Sequence, residues 1–282
     1  MAASDEIKAL VNQMPEPAKN GTYADLDDEK IRRIEQVVGE LRKGGRDSVL
    51  GVIDLLVEPG KGDDVKAHFA LHVLAVRLAA PGQDRPRAAF ARAVASRLGG
   101  GAPMGVRKYL IEQLQVAGGR ECAPALGKAL LAPELCDLAA RALAAIRDGA
   151  PEQLLAALPK VKGPSRLSVL KKLAVLRAPE AAEAFRKALA ADDLDLRIAA
   201  AWGIARIADA SAADALLRCA DAHTGWERIN QTDACMALAE GLQAAGKKRQ
   251  AAAIYAHLKK TRTAESDRHT REAAERGLAA LE

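Results

Sequence analysis

Apolar residues along most of this chain recur at spacings of three and four rather than alternating, the period of helices that bury one face. Laying the chain against itself brings out a unit of the form Val/Leu, Arg or polar, x, Ala, Ala, x, x, small, Leu/Ile, followed by a turn and a second apolar helix. The clearest copies close on Leu114, Leu143, Leu173 and Ile204, at spacings of 29, 30 and 31 residues. A period this regular is the signature of a repeat architecture. Weaker copies run from Asp64 to Val73, from Thr232 to Leu238 and from Thr270 to Leu278, where the spacings widen to 41, 34 and 40 residues.

Turn signals divide each unit in two. Asp209-Ala210-Ser211 separates an apolar helix over 194–208 from a second over 212–222, and Ala178-Pro179-Glu180 breaks the preceding unit at a proline suited to a first helical turn. In the first of those helices Leu194, Ile198, Trp202 and Ile207 carry the apolar spacing. Gly118-Gly119, Asp148-Gly149-Ala150-Pro151 and Lys162-Gly163-Pro164 are further breaks. Short helices joined by short turns lie antiparallel, and one pair alone cannot bury its apolar face, so pairs must stack. The predicted fold is all-α, a right-handed α-solenoid of about seven helix pairs. Residues 1–27, with Pro15, Pro17, Asn20 and Gly21, form an N-terminal cap and loop, and 28–282 form one continuous repeat array.

Composition strengthens the helical reading. Apolar residues make up 49% but aromatics only 3%, and Ala and Leu, the best helix formers, dominate the apolar fraction. The net charge of +5, from 42 basic and 37 acidic residues, describes a mixed solvated surface; it permits an acidic partner without demanding nucleic acid. Cys122, Cys136, Cys219 and Cys235 lie in apolar stretches without metal-ligand spacing and read as buried thiols. With no apolar leader core and no long uncharged apolar run, the chain reads as soluble and cytoplasmic, without membrane insertion, a mature periplasmic or secreted chain being the alternative.

Asp195-Leu196-Arg197-Ile198-Ala199-Ala200-Ala201 resembles the first helix of the HEAT-repeat family, and the resemblance is best between about 102 and 222. It implies an α-solenoid in which second helices line the concave surface and an Asp/Arg ladder links neighbouring repeats, making Arg107, Arg197 and Arg271 structural. Cys136 and the shifted Arg166 interrupt that register. Near the C-terminus Ala239, Gly246, Ala251, Tyr255 and Leu258 are similar to one tetratricopeptide helix pair, with Gly246-Lys247-Lys248 as its turn.

Candidate chemistry is sparse. His68 and His72 are spaced as two zinc ligands on a helix would be, but no third ligand is near in sequence, and no metal or other cofactor is expected. None of the five histidines precedes a Glu, which removes the paired His-Glu motif of HEAT-fold iron hydroxylases. HEAT-like DNA glycosylases need aromatic residues beside a carboxylate; only Trp226-Glu227 offers that pair, and two tryptophans are little stacking material. Gly99-Gly100-Gly101 lacks the Lys-Ser/Thr of a P-loop.

Charge clusters are more suggestive. Arg85, Arg87, Arg92 and Arg97 decorate one predicted second helix, and 84–128 hold eight basic and three acidic residues. Lys247, Lys248 and Arg249 begin a stretch reaching 264 without an acid. The expected function is a non-catalytic scaffold that binds a protein partner, acidic or otherwise, on its concave face. Those seven basic residues and Trp226 are the candidate contacts, and the chain is expected to act as a monomer or as a module of a longer polypeptide. The alternative is a nucleic-acid or polyanion binder, and after it a lyase or glycosylase.

Overall fold

In the computed structural model, residues 5–18, 22–23, 26–99 and 101–281 are described; Asn20, Gly21 and Gly100, read above as loop residues, lie outside them. Every regular element among the described residues is helical. The chain divides into two compact units, Met1–Gln153 and Leu154–Glu282. In the first, α1 (Asp5–Asn12) precedes the pairs α2–α3 (Asp28–Lys43, Gly45–Ile53), α4–α5 (Val65–Leu78, Asp84–Ala95) and α6–α7 (Met104–Ala117, Ala123–Ala129), then α8 (Pro133–Ile146). The division falls within α9 (Ala150–Ala157). The second unit holds α10–α11 (Gly163–Leu176, Ala182–Leu189), α12–α13 (Leu194–Arg206, Ala213–Ala222), α14–α15 (Gly225–Ala244, Lys248–Thr261) and the single helix α16 (Arg268–Ala279). The sequence copy at Thr270–Leu278 is this single helix, and the pair α2–α3 lies ahead of the first copy recognised by pattern.

Each unit is an all-α solenoid segment with two layers. First helices pack on first helices, α2 on α4 on α6 on α8 in one unit and α10 on α12 on α14 on α16 in the other. Second helices sit behind them, α3 against α5 and α13 against α15. The core between layers is made of small and branched side chains, as in α12, where Leu196, Ala199, Ala200, Gly203 and Ile204 are buried. Gly203 has a steric reason: a Cβ there would run into the Phe185 ring of α11. Gly277 of α16 stands in the same relation to Tyr255 of α15, so in both places a large ring behind demands a bare backbone in front.

That packing corrects the reading of α12. Leu194 and Trp202 face outward and Ile198 is only half-buried; the Ala/Gly row, not the bulky row, is the core face. The bulky row has its own periodicity, so spacing alone marked a face without saying which side it served.

Three pairs of the second unit close on one turn. The amides of Arg177 and Ala178 donate to Ala174 and Leu173 carbonyls, those of Ala208 and Asp209 to Ala205 and Ile204, and those of Gly246 and Lys247 to Gln243 and Leu242. The first residue of each couple is left-handed, at φ 53°, 50° and 74°. This motif favours glycine, and only Gly246 satisfies the preference. The equivalent of Leu173 and Ile204 is therefore Leu242 rather than Leu238, because α14, at 20 residues, is longer than α10 or α12.

In the first unit the N-terminal segment lies on the first two pairs. Helix α1 packs on α2, α3 and α4, with Val11 and Met14 buried. Tyr23 stacks on Phe69 of α4 with ring centroids 3.6 Å apart, and Glu16 pairs with Lys66.

Candidate binding groove on the first-helix layer

Within the second unit an open groove of about 490 Å³ crosses three first helices, inside the roughly 300–1,000 Å³ range of ligand clefts. Its wall on α10 is Lys171, Lys172 and Val175. The floor on α12 is Ile198, Ala199 and Trp202. On α14 the opposite wall is Asn230, Asp233, Ala234 and Ala237. Each set repeats at helical spacing, so the groove follows from three outward faces set side by side. A smaller depression, about 250 Å³, shares Asp233 and continues between α14 and α16.

The layer exposes large apolar groups along this stretch: Val175 (38%), Trp202 (39%), Trp226 (67%) and Ile229 (51%). Both tryptophans of the chain are thus on the surface, on neighbouring first helices. Val175 and Trp202 line the groove and Ile229 lines the smaller depression beside it. Trp202 is also held in place, since the Arg206 guanidinium carbon lies 5.3 Å from its ring centroid one turn along α12. Arg206 Nε is buried and donates no hydrogen bond to any described residue.

What joins these helices lies at their N-terminal ends, away from the groove. Arg197 of α12 donates from Nε and Nη2 to Glu227 of α14 at 2.6 and 2.8 Å, and from Nη1 to the Ala191 and Asp192 carbonyls. Gln231 and His223 complete the surroundings of Glu227. The Arg197 hydrogen bonds hold the Glu227 carboxyl below the usual carboxylate range against the opposing effect of burial. Arg228 and Asp267 repeat the arrangement between α14 and the start of α16, at 3.0 and 2.7 Å, and Asp267 is lowered for the same reason. Behind them Arg262, 2% exposed, reaches Asp221 and Thr232.

The arginines singled out by the repeat pattern share one task. Arg107 donates to the Leu98 carbonyl and Arg271 to those of Arg262 and Ala264, as Arg197 does to Ala191 and Asp192: each returns to the end of the preceding second helix. Glu227, the carboxylate beside Trp226, is occupied by Arg197.

The predicted contact residues fall in separate places. Arg85 and Arg92 are exposed on α5, but Arg87 donates to the Gly118 carbonyl and pairs with Glu121 at 3.2 Å, and Arg97 pairs with Asp54 at 2.9 Å. Lys247, Lys248 and Arg249 are exposed in the other unit at the start of α15, with Lys248 Nζ near the Leu281 carbonyl. Only Trp226 lies on the first-helix layer that carries the groove. His68 meets the Asp64 side chain and His72 meets Gln113; no group of three potential metal ligands occurs among the described residues. None of the four cysteines forms a disulfide, and Cys219 is half-buried rather than buried. Burial pushes the Cys122 thiol up to about 11 and that of Cys235 to about 12. No helix among the described residues is long and apolar enough to cross a membrane.

Sequence reasoning passed over one readable feature. Residues 153–179 contain Lys160, Lys162, Arg166, Lys171, Lys172 and Arg177 and no acid, and this run supplies the basic wall of the groove. The outward set of Trp202 could not be read in the same way.

No family model matches the sequence, and no curated protein matches it. Among solved structures, the chain is similar to an engineered protein, at 19% identity and a TM-score of 0.51, covering 98% of this chain and 78% of that one. It is also similar to a designed armadillo repeat protein at 20% identity, 83% and 100% coverage and a TM-score of 0.34. A second designed armadillo repeat protein, in complex with the peptide (KR)4, matches at 18% identity, 97% and 99% coverage and 0.28. The first likeness is one of overall fold alone, and the other two scores are too low to carry an argument.

Proposed function

We propose that this chain is a repeat scaffold that captures a protein segment in the groove across α10, α12 and α14, without catalysis. The observation that carries the reading is Trp202, held by Arg206 and exposed over an apolar floor. A pre-positioned aromatic loses little side-chain freedom on binding, and such residues dominate binding energy in interfaces. Trp226 and Ile229 extend the surface along α14, and exposed Arg85, Arg92, Lys247 and Arg249 supply outlying charge that would speed encounter with an acidic partner.

Commitment of the reactive groups supports a binder over an enzyme. Glu227 is taken up by Arg197, Asp267 by Arg228, and the raised thiols are poor nucleophiles at neutral pH. The HEAT assignment is supported by the recurrent arginine returning to the preceding carbonyls.

The test is selection of displayed random peptides on the full chain, followed by binding of the enriched peptides to variants. Trp202→Ala or Val175→Glu is expected to weaken them roughly tenfold or more, whereas Arg85→Glu/Arg92→Glu alters association rate and salt dependence. Enriched peptides that bind Trp202→Ala and Val175→Glu undiminished would overturn the reading.

A further inference from the structure

Resting on that groove, we infer that its occupant is an acidic amphipathic peptide segment, with carboxylates over α10 and bulky apolar side chains over Ile198 and Trp202. The argument is charge complementarity. Lys171 and Lys172 stand on one wall, and neither forms an ion pair or side-chain hydrogen bond with a described residue. They belong to the run 153–179, which holds six basic residues and no acid, so no carboxylate nearby in sequence offsets them. Unpaired lysines beside an apolar floor present both halves of what an acidic-apolar segment offers.

The opposite wall separates this occupant from a nucleic acid. Asp233 is exposed there, also without an ion pair, and Asn230 beside it already donates to the Trp226 carbonyl at 2.8 Å. A polyphosphate crossing the groove would meet the Asp233 carboxylate, whereas a peptide can turn an amide or a basic side chain toward it. A single indole on the floor is also little for stacking successive bases. Three first helices packed about 8–10 Å apart place the outer walls about 20 Å from each other. That span takes about six residues of extended chain or about thirteen of helix. The acids therefore belong at one end of the segment, the apolar anchors in its middle, and a donor at the end that meets α14.

The experiment uses the full chain and the Trp202-dependent peptides from the selection above. Their net charge is scored, and each is resynthesised with Lys for every acid and, separately, with Ser for every bulky apolar residue. Fluorescence anisotropy then measures binding to the natural chain and to Lys171→Glu/Lys172→Glu, alongside a single-stranded oligonucleotide. The expected result is acidic peptides that weaken roughly tenfold on the charge-reversed chain, with the Lys-for-acid versions gaining there. The Ser versions lose binding to both chains. Trp202-dependent peptides that are neutral or basic would overturn this inference and leave the groove reading standing. A selection that yields no Trp202-dependent peptide would remove both. Oligonucleotide binding that outlasts the peptides, falls steeply with salt and vanishes in Lys171→Glu/Lys172→Glu would replace the peptide by nucleic acid.

Discussion

The same junction, one first helix against the next, is built in opposite ways in the two units. Between α4 and α6 the tie runs along the seam between the helices: Tyr109 donates to the His68 carbonyl, His72 meets the buried Gln113 at 3.0 Å, and the His68 and Tyr109 rings lie 4.2 Å apart. The N-terminal segment adds Tyr23 over Phe69. Between α12 and α14 the tie is the Arg197–Glu227 pair at the helix ends, and the outer face stays open around Trp202. The junction is thus held by side chains along the helix–helix seam in one unit and by an ion pair at the helix ends in the other, where the face around Trp202 carries the groove.

The sharpest way to break this contrast is Arg197→Met. It strands Glu227, 8% exposed, without its cation, and removing one partner of such a pair costs on the order of 3–5 kcal/mol. Urea unfolding followed by tryptophan fluorescence reads the loss directly, since both tryptophans lie in the second unit; an unchanged midpoint would mean the ladder does not hold α12 to α14.

Acid probes the same pairs. Glu227, Asp267 and Asp221 all titrate below their ordinary range in the folded chain, the first two chiefly through hydrogen bonds from Arg197 and Arg228. For Asp221, burial is the largest single influence and opposes the shift, which the Arg262 and His257 hydrogen bonds then outweigh together. Their stabilisation is present above the unfolded carboxylate pKa of about 4 and is lost as pH falls through the lower folded values. The tryptophan signal of the second unit should therefore change on acidification before helical circular dichroism is fully lost. Coincident transitions would contradict this.

Smaller effects test the covered face. Tyr23→Ala should cost about 2 kcal/mol by removing the stack on Phe69. Tyr23→Phe, which deletes only a buried hydroxyl without a hydrogen bond to any described residue, should leave thermal stability unchanged or raised. Trp202→Ala should cost under about 1 kcal/mol because the ring is partly solvated, yet it should weaken peptide capture roughly tenfold or more. One further small effect is a gain: Arg177→Gly relieves a left-handed arginine and should stabilise by roughly 0.5–1 kcal/mol in thermal unfolding.

Helical period, pair length and the near-thirty-residue beat were written along the chain, because each depends on local spacing and on turn residues such as Pro179 and Gly246. The arginines of the repeat were equally plain, since their carbonyl partners lie within nine residues. Even the basic wall could have been read from the acid-free run 153–179. The neutralisation of Arg87 and Arg97 and the capture of Glu227 could not, for each depends on a partner 30 to 43 residues away, and the outward set of Trp202 depends on which helical face the neighbouring helix buries. Two apolar rows on α12 look alike in one dimension. Only the packing of α11, with Phe185 seated against Gly203, makes the small row the core and turns the indole to solvent.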